Sequence, residues 1–445
     1  MNNDLEIRKI SLETLSELNK NNVPSHILLK SVLDKYDYLP DFDKALISKI
    51  VKGVNERKIE LEYIINLYSK TPVKKMKPVI RIILEMGIYQ ILYMDVYDTV
   101  AVDSSVNLAK KKGFSGLAGF VNAILRNVVR DKESIEYPKR GDENYLSVRY
   151  SIPEHIAGKI VEDYGFEIAE KILKGSMDQN SVSVRFRLNL PSKRKEEILK
   201  SLSDKGAILK KYDGLDDVFM MTHSGNIAKL ECFKSGEITI QDASSFFMCM
   251  NVPKGNTILD ACAAPGGKSA LLSERFPDAK ITACDISADK LAPMTDGFLR
   301  MGLKNITVLR QDATEYKPEW VEKFDVAVAD VPCSGLGVIG KKHDIRYRLT
   351  NEDFDNLCEL QEKILENVSK YVKKGGYLVY STCTINKDEN IRRTDKFVEE
   401  NGFSYDELSF VPDCFKENVS KGSMQLLQGI NETDGFYVAV LKKND

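Results

Sequence analysis

Two cysteines occupy places where a chain without secretory features has little structural reason to put a thiol. Cys333 lies in "DVPCSGLG" (330–337), directly behind the apolar run Phe324 to Ala329, and Cys383 lies in "VYSTCT" (379–384), behind another apolar run. Carbon 5 of a pyrimidine has no lone pair and becomes nucleophilic only after covalent attack at carbon 6, a task that suits a thiolate. A second thiol, or a base, then helps remove the C5 proton so that the enzyme can leave. With a reference pKa of about 8.5, such a cysteine needs local help to ionise, which a pocket of backbone amides at a sheet edge supplies. Residue type alone does not order the two thiols.

The elements that must position them begin at about residue 236, where short apolar runs alternate with helical patterns. This is the signal of a doubly wound parallel sheet. The predicted strands are 257–260, 280–284, 306–310, 324–329, 376–380 and 436–441. In such a sheet ligands bind outside the carboxyl ends of the strands. Those ends carry "DACAAPGGKS" (260–269), Asp285, Asp312, "DVPCSG" (330–335) and "STCT" (381–384). A Walker A loop would need glycine where Cys262 stands, and the GxGxxG dinucleotide spacing is missing. What remains is a strand-to-helix turn in which Gly266 and Gly267 let backbone approach a ligand. Asp285 is placed to accept hydrogen bonds from two ribose hydroxyls and Asp312 to meet an adenine amino group. Ribose and adenine without a pyrophosphate cradle point to S-adenosyl-L-methionine rather than NAD or ATP. Methylases of exocyclic amines commonly carry Asp/Asn-Pro-Pro-aromatic after this strand; Asp-Val-Pro-Cys here points to carbon instead.

The rest of the chain bounds the problem. At 445 residues, and roughly 150 per domain, about three domains are expected. Apolar residues make up 43% and charged ones 29%, with no run approaching the roughly 18 apolar residues of a membrane span. The N-terminal "MNNDLEIRKISLETLSELNK" is polar and helix-like, unlike a signal peptide, so a cytosolic protein is expected. Eight cysteines without a CxxC cluster fit neither a disulfide framework nor a zinc site, and no metal is expected. Cys232, Cys249, Cys284, Cys358 and Cys414 read as packing residues and Cys262 as lining the glycine turn. A net charge of −2 averages over the chain and leaves room for basic patches.

Residues 1–135 read as all-helical, with Leu84, Ile88, Ile91 and Leu92 on one helical face. The run Lys110 to Lys112 closes a helix or meets RNA phosphate, and "KKMK" (74–77) carries the same two readings. A polar stretch at 131–145 has linker character. Residues 145–235 read as helices followed by a small α+β module, opened by the period-2 strand "SVSVRFRLNLP". Arg185 and Arg187 are expected on its solvated face. Residues 236–445 form the α/β domain.

The segments "QDASS" (241–245), "LDACAAPGGKS" (259–269), "DVPCSGLGVI" (330–339), "YSTCTINKDEN" (380–390) and "TDGFYVA" (433–439) resemble, in order, those of the Nol/Nop/Sun family of RNA cytosine-C5 methyltransferases. The resemblance implies a Rossmann-like domain that uses S-adenosyl-L-methionine, with Cys383 as the nucleophile at C6 and Cys333 assisting release. It further implies cofactor contacts from Cys262, Ala263, Ala264, Pro265, Gly266, Gly267 and Lys268, with Asp285 on ribose, Asp312 on adenine and Asp330 as a further contact. Lys268 and Asp330 are also in reach of the base.

The segment "YDTVAVDSSVNLAKKKGFSGLAGFVNAILRN" looks like a NusB-type RNA-binding helical domain. A NusB-like domain joined to this methylase domain resembles the RsmB-type (Sun/Fmu) branch of the family, and the middle module is expected to be RRM-like. That resemblance implies 16S ribosomal RNA as partner, free or in a partly assembled small subunit, with no membrane and no obligate protein partner. A tRNA cytosine-C5 methyltransferase and a catalytically silent RNA-binding or assembly factor are the alternatives. The sequence departs from the family pattern at Gly340, His343 and Gly429. "KKHDIRYR" (341–348) is expected to make phosphate contacts, with Tyr347 available for stacking.

Overall fold

The computed structural model describes residues 3–445 except 22, 178–180 and 224. The chain divides into two compact units, one of Met1–Met177 with Ile339–Leu349, the other of Asp178–Val338 with Thr350–Asp445. The helices at 145–175 thus stand with the N-terminal helices, and the small sheet stands with the large one.

The first unit is helical. Its helix Pro78–Tyr93 is apolar around nearly its whole circumference, so Ile80, Ile83, Leu84, Ile88 and Ile91 are all buried. Such a helix must be wrapped. The helices Asn3–Lys20, Asp41–Glu56, Lys58–Tyr68, Asp98–Lys111 and Ala118–Asp131 surround it and share its core. Lys110 and Lys111 lie in the last turn of Asp98–Lys111, and Lys112 pairs with Glu13 at 2.6 Å, which suits a helix C-terminus.

The segment expected to contact RNA is largely committed inside this unit. Arg346 is fully buried and donates to the carbonyls of Tyr150, Ser151 and Ile339, each at 3.1 Å. The Tyr347 hydroxyl lies 3.2 Å from the carbonyls of Glu56 and Ser151 and 3.0 Å from Ser151 Oγ. Burial pushes the Tyr347 phenol up to about 12. The Arg346 guanidinium is not available for a phosphate and the Tyr347 hydroxyl is bonded within the unit, while the Tyr347 ring stays partly exposed; Lys341, Lys342 and Arg348 are the exposed residues of the stretch. His343 is a half-buried turn residue, its imidazole held down to about 4 by burial and then by Arg346.

The second unit holds two sheets. The smaller is made of β1 (Val182–Phe186), β2 (Ile208–Tyr212), β3 (Leu215–Thr222) and β4 (Ile238–Ile240), in the order β2-β3-β1-β4 and antiparallel throughout. A helix (Ser192–Asp204) joins β1 to β2, and a short one (Glu231–Lys234) precedes β4. Arg185 is not on a solvated face. It is 0% exposed and bonds Glu274 at 2.8 Å and Gln241 Oε1 at 2.7 Å. Alternation marked one face of β1 as polar, but that face packs on the large sheet's first helix.

The larger sheet comprises β5 (Thr257–Asp260), β6 (Lys280–Asp285), β7 (Ile306–Arg310), β8 (Phe324–Asp330), β9 (Val372–Thr382), β10 (Phe403–Tyr405), β11 (Val419–Ser420), β12 (Ser423–Leu426) and β13 (Phe436–Lys443). Its order is β11-β12-β13-β9-β8-β5-β6-β7, with β10 on β13. The strands from β5 to β9 are parallel and β13 enters antiparallel to β9. Parallel strands buried on both faces read as continuous apolar runs, which is why β5 and β8 were legible. Ile258, Val326, Val328 and Val379 face one core, while Leu259, Ala327, Ala329 and Leu378 face the other. Among the described residues no helix is long and apolar enough to cross a membrane.

Candidate active site

The strand order reverses between β5 and β8, so the loops leaving their carboxyl ends diverge and open a crevice. After β5 comes the turn "ACAAPGGK". Its backbone is sutured in place: Ala261 N–H donates to Val328 O at 2.9 Å, Ala263 N–H to Cys284 O at 2.7 Å and Gly266 N–H to Ala263 O at 2.7 Å. Gly266 has φ +99°, and a Cβ there would lie 2.7 Å from Met294 Cγ. Only glycine fits, and the helix Gly267–Arg275 starts from it. Cys262 lines this turn, where burial pushes its thiol well up; the peptide between Ala264 and Pro265 is cis.

The acids stand at the strand ends. Asp285 ends β6, accepting from Ala264 N–H at 3.2 Å and from Ser287 N–H at 3.0 Å. Asp312 follows β7 and accepts from the Thr314 N–H and hydroxyl at 2.8 and 2.7 Å. Asp330 ends β8, 2.7 Å from Lys268 Nζ, and accepts from Ser381 Oγ at 2.8 Å. Burial pulls the Lys268 ammonium down, but the charge and hydrogen bond of Asp330 outweigh it, with smaller contributions from Cys249 and then Cys383, so the Lys268 pKa is raised. These carboxylates and the glycine turn fit a ligand with a ribose diol, an amine and a positive charge. Among the described residues no His, Cys, Asp and Glu cluster could hold a metal ion.

The two thiols meet. β8 and β9 are in parallel register, Asp330 opposite Ser381, so the loops that follow run side by side and Cys333 Sγ lies 3.3 Å from Cys383 Sγ. Both residues are partly exposed, unlike Cys249 and Cys284, which are buried and whose thiols burial pushes up to about 12. Cys232 and Cys358 are partly buried. Cys414 is exposed rather than packed.

Several residues that hold this arrangement carry no signal of chemistry in sequence. Gln241 accepts from Arg185 and donates to Gly267 O at 3.0 Å, tying the small sheet to the glycine turn. Asp242 caps the helix Ala243–Met250 and accepts from Ser183 Oγ at 3.0 Å. Asp260, fully buried at the end of β5, accepts from Ser269 Oγ at 2.5 Å; burial raises its carboxyl to about 6 against that bond. Gly337 N–H donates to Cys383 O at 3.1 Å while Gly435 N–H donates to Gly337 O at 2.9 Å, so three loops meet behind the nucleophile candidate. Gln428, beside the unusual Gly429, donates to Leu336 O at 2.8 Å and braces the same loop. Asn390 donates to Thr384 O at 3.0 Å and accepts from Thr382 Oγ1 at 2.6 Å, gripping Cys383 from both sides. The one available signal was polar residues packed into "TINKDEN" without a turn glycine.

A doubly wound sheet with an acid after each of three strands and paired thiols at adjacent strand ends defines a Rossmann-like methyltransferase. The model of the 16S rRNA methyltransferase RsmB/F family matches residues 247–442, and that of the NusB family matches residues 5–130. The chain is 34% identical to the probable ribosomal RNA small subunit methyltransferase B of Bacillus subtilis (strain 168), covering 98% of each protein. It is 30% identical to the Synechocystis protein of the same description, covering 99% of this chain and 100% of that one. The crystal structure of PH0851 shares the fold over 100% of this chain and 99% of its own, with TM-score 0.80 at 22% identity. NSun6 from Pyrococcus horikoshii with SFG matches 66% of this chain and 98% of its own, with TM-score 0.57 at 20% identity. The chain belongs to the RsmB/F family of 16S rRNA methyltransferases and carries a NusB-family domain at its N-terminus.

Proposed function

We propose that the protein methylates carbon 5 of one cytosine in 16S ribosomal RNA, acting in the cytoplasm on free RNA or a partly assembled small subunit. The observation that carries the reading is the 3.3 Å contact between Cys333 and Cys383, beside the Lys268 to Asp330 pair. S-adenosyl-L-methionine, when bound, supplies a methyl group activated on a sulfonium. Cys262 to Lys268, Asp285, Asp312 and Asp330 are the residues that would hold it. Residues 1–135 and the module within 145–235 serve as RNA-binding parts, and 236–445 as the catalytic domain.

The target cytosine leaves its stack so that both ring faces meet protein. Cys383 adds as the thiolate to C6, forming the S–C6 bond and moving the electron pair of the C5–C6 double bond to C5; C5 would take the methyl group as the methyl–sulfonium bond breaks, its electron pair staying on the donor sulfur, which leaves as a neutral thioether. Cys333, deprotonated at that step, takes the C5 proton; the C5–H electron pair restores the C5–C6 double bond as S–C6 breaks and its pair returns to the Cys383 thiolate. One difficult step becomes two easier ones. Bisulfite sequencing of total RNA from cells with and without the gene tests this: one 16S cytosine loses its mark. A lost mark in tRNA would move the substrate, and no lost mark would favour a silent RNA-binding protein. In vitro, Cys383→Ala abolishes transfer, and Cys333→Ala accumulates a covalent RNA adduct; normal methylation by Cys383→Ala would overturn the assignment.

A further inference from the structure

Glu389 is fully buried and lies outside every role described so far. Its carboxylate is ringed by donors. Oε2 accepts from Ser334 N–H at 2.8 Å and from Gln361 Nε2 at 2.9 Å; Oε1 accepts from Ser334 Oγ at 2.5 Å and from Asn386 Nδ2 at 2.8 Å. With its single proton committed to Glu389, Ser334 Oγ accepts from Thr384 Oγ1 at 2.7 Å. Gln361 also donates to Pro332 O at 2.9 Å. Ser334 follows Cys333 and Thr384 follows Cys383, so one carboxylate fixes the residue after each thiol. Glu389 adjoins the Cys333 loop directly and acts on Cys333, whereas Lys268 and Cys383 act on each other.

Resting on the two-thiol reading, we propose that Glu389 is the positioning residue of the pair. It holds Cys333 and Cys383 in contact and places negative charge on the Cys333 side, so that Cys383 is the thiol that ionises. The Cys333 thiol is accordingly held well above the ordinary range, by its bond to Cys383, then by burial, with Glu389 adding to both. A glutamine cannot replace this carboxylate, because its amide nitrogen would face donors on either side. The other ionisable groups facing the thiols are Lys268, itself paired with Asp330, and Tyr380, and those facing Glu389 are Cys358 and Tyr380, with Arg393 beside Cys358.

The test uses the full chain without RNA. Iodoacetamide alkylation at a series of pH values, with each cysteine resolved by peptide mass spectrometry, gives a profile for each thiol. In the unmodified protein Cys383 reacts roughly tenfold faster than Cys333 at neutral pH. In Glu389→Gln the Cys333 profile moves about one unit to lower pH and the ratio falls severalfold. A folded Glu389→Gln protein with the original profiles and ratio overturns the proposal. Ser334→Ala decides the matter if Glu389→Gln fails to fold, since it keeps the carboxylate and cuts the link to Thr384. Diamide then joins Cys333 to Cys383 about tenfold more slowly, and an unchanged rate overturns the proposal. Because neither readout involves methylation, activity in Cys383→Ala would sink the two-thiol reading while leaving these profiles to judge Glu389.

Discussion

Gly337→Ala asks whether the seam behind Cys383 is as tight as its geometry states. Gly337 is not among the glycines with positive φ, so alanine meets no backbone penalty and the effect is steric. The new Cβ would lie 1.9 Å from Gly435 O and 2.8 Å from Cys383 O, where ordinary contact begins at 3.4 Å. The chains must part by about 1.5 Å, which forfeits the Gly337 to Cys383 or the Gly435 to Gly337 hydrogen bond, each worth about 1 kcal/mol. Overpacking adds about 1–3 kcal/mol. The sum, about 2–4 kcal/mol, lowers the melting midpoint of the second unit by roughly 5–15 °C. Displacing Cys383 by about 1 Å costs on the order of a hundredfold in rate. Differential scanning calorimetry and single-turnover methyl transfer to a 16S transcript read the two effects. A variant melting within about 1 °C of the parent and reacting within twofold would refute the reasoning.

Three further outcomes follow from other parts of the molecule. Arg185→Ala leaves Glu274, 3% exposed, without its partner, at a cost of about 3–5 kcal/mol in denaturant unfolding; the double variant with Glu274→Met costs less than Arg185→Ala alone. Asp285→Asn surrenders a charged acceptor that already holds the Ala264 and Ser287 amides, so calorimetry shows methyl-donor affinity falling about tenfold or more. In the helical unit two shifts oppose each other. His343 falls from 6.5 to about 4, so its contribution is present above 6.5 and lost as pH falls towards 4. Glu85 rises from 4.5 to about 7, chiefly by burial, so its contribution is present below 4.5 and lost as pH rises towards 7. Denaturation across pH 4.5–6.5 therefore shows stability falling with pH in His343→Gln and rising in Glu85→Gln relative to the parent, each by up to about 3 kcal/mol.

What the sequence determined by itself lies where one segment carries its own signal. Parallel strands buried on both faces are apolar throughout, so the strands at 257–260 and 324–329 were readable, and the half-exposed edge strand at 306–310 was readable as a short apolar run; acids or thiols directly after them mark ligand-facing ends. The Asp-Val-Pro-Cys and Ser-Thr-Cys runs were legible for the same reason. Tertiary structure decided what depends on two segments at once. The thiols touch because β8 and β9 pair in a particular register, a long-range choice that neither strand encodes alone. Arg346 and Tyr347 look like RNA contacts in a basic run, yet they are spent on carbonyls of a distant helical segment. Arg185 reads as exposed by alternation, yet it meets Glu274, 89 residues away. Glu389 carries no signal in "NKDEN" and becomes the centre of a buried network only once the loop holding Ser334 and the helix Asn351–Tyr371 meet its own loop. A polar side chain states what it can bond; only the fold states what it does bond, because burial removes water as the alternative partner.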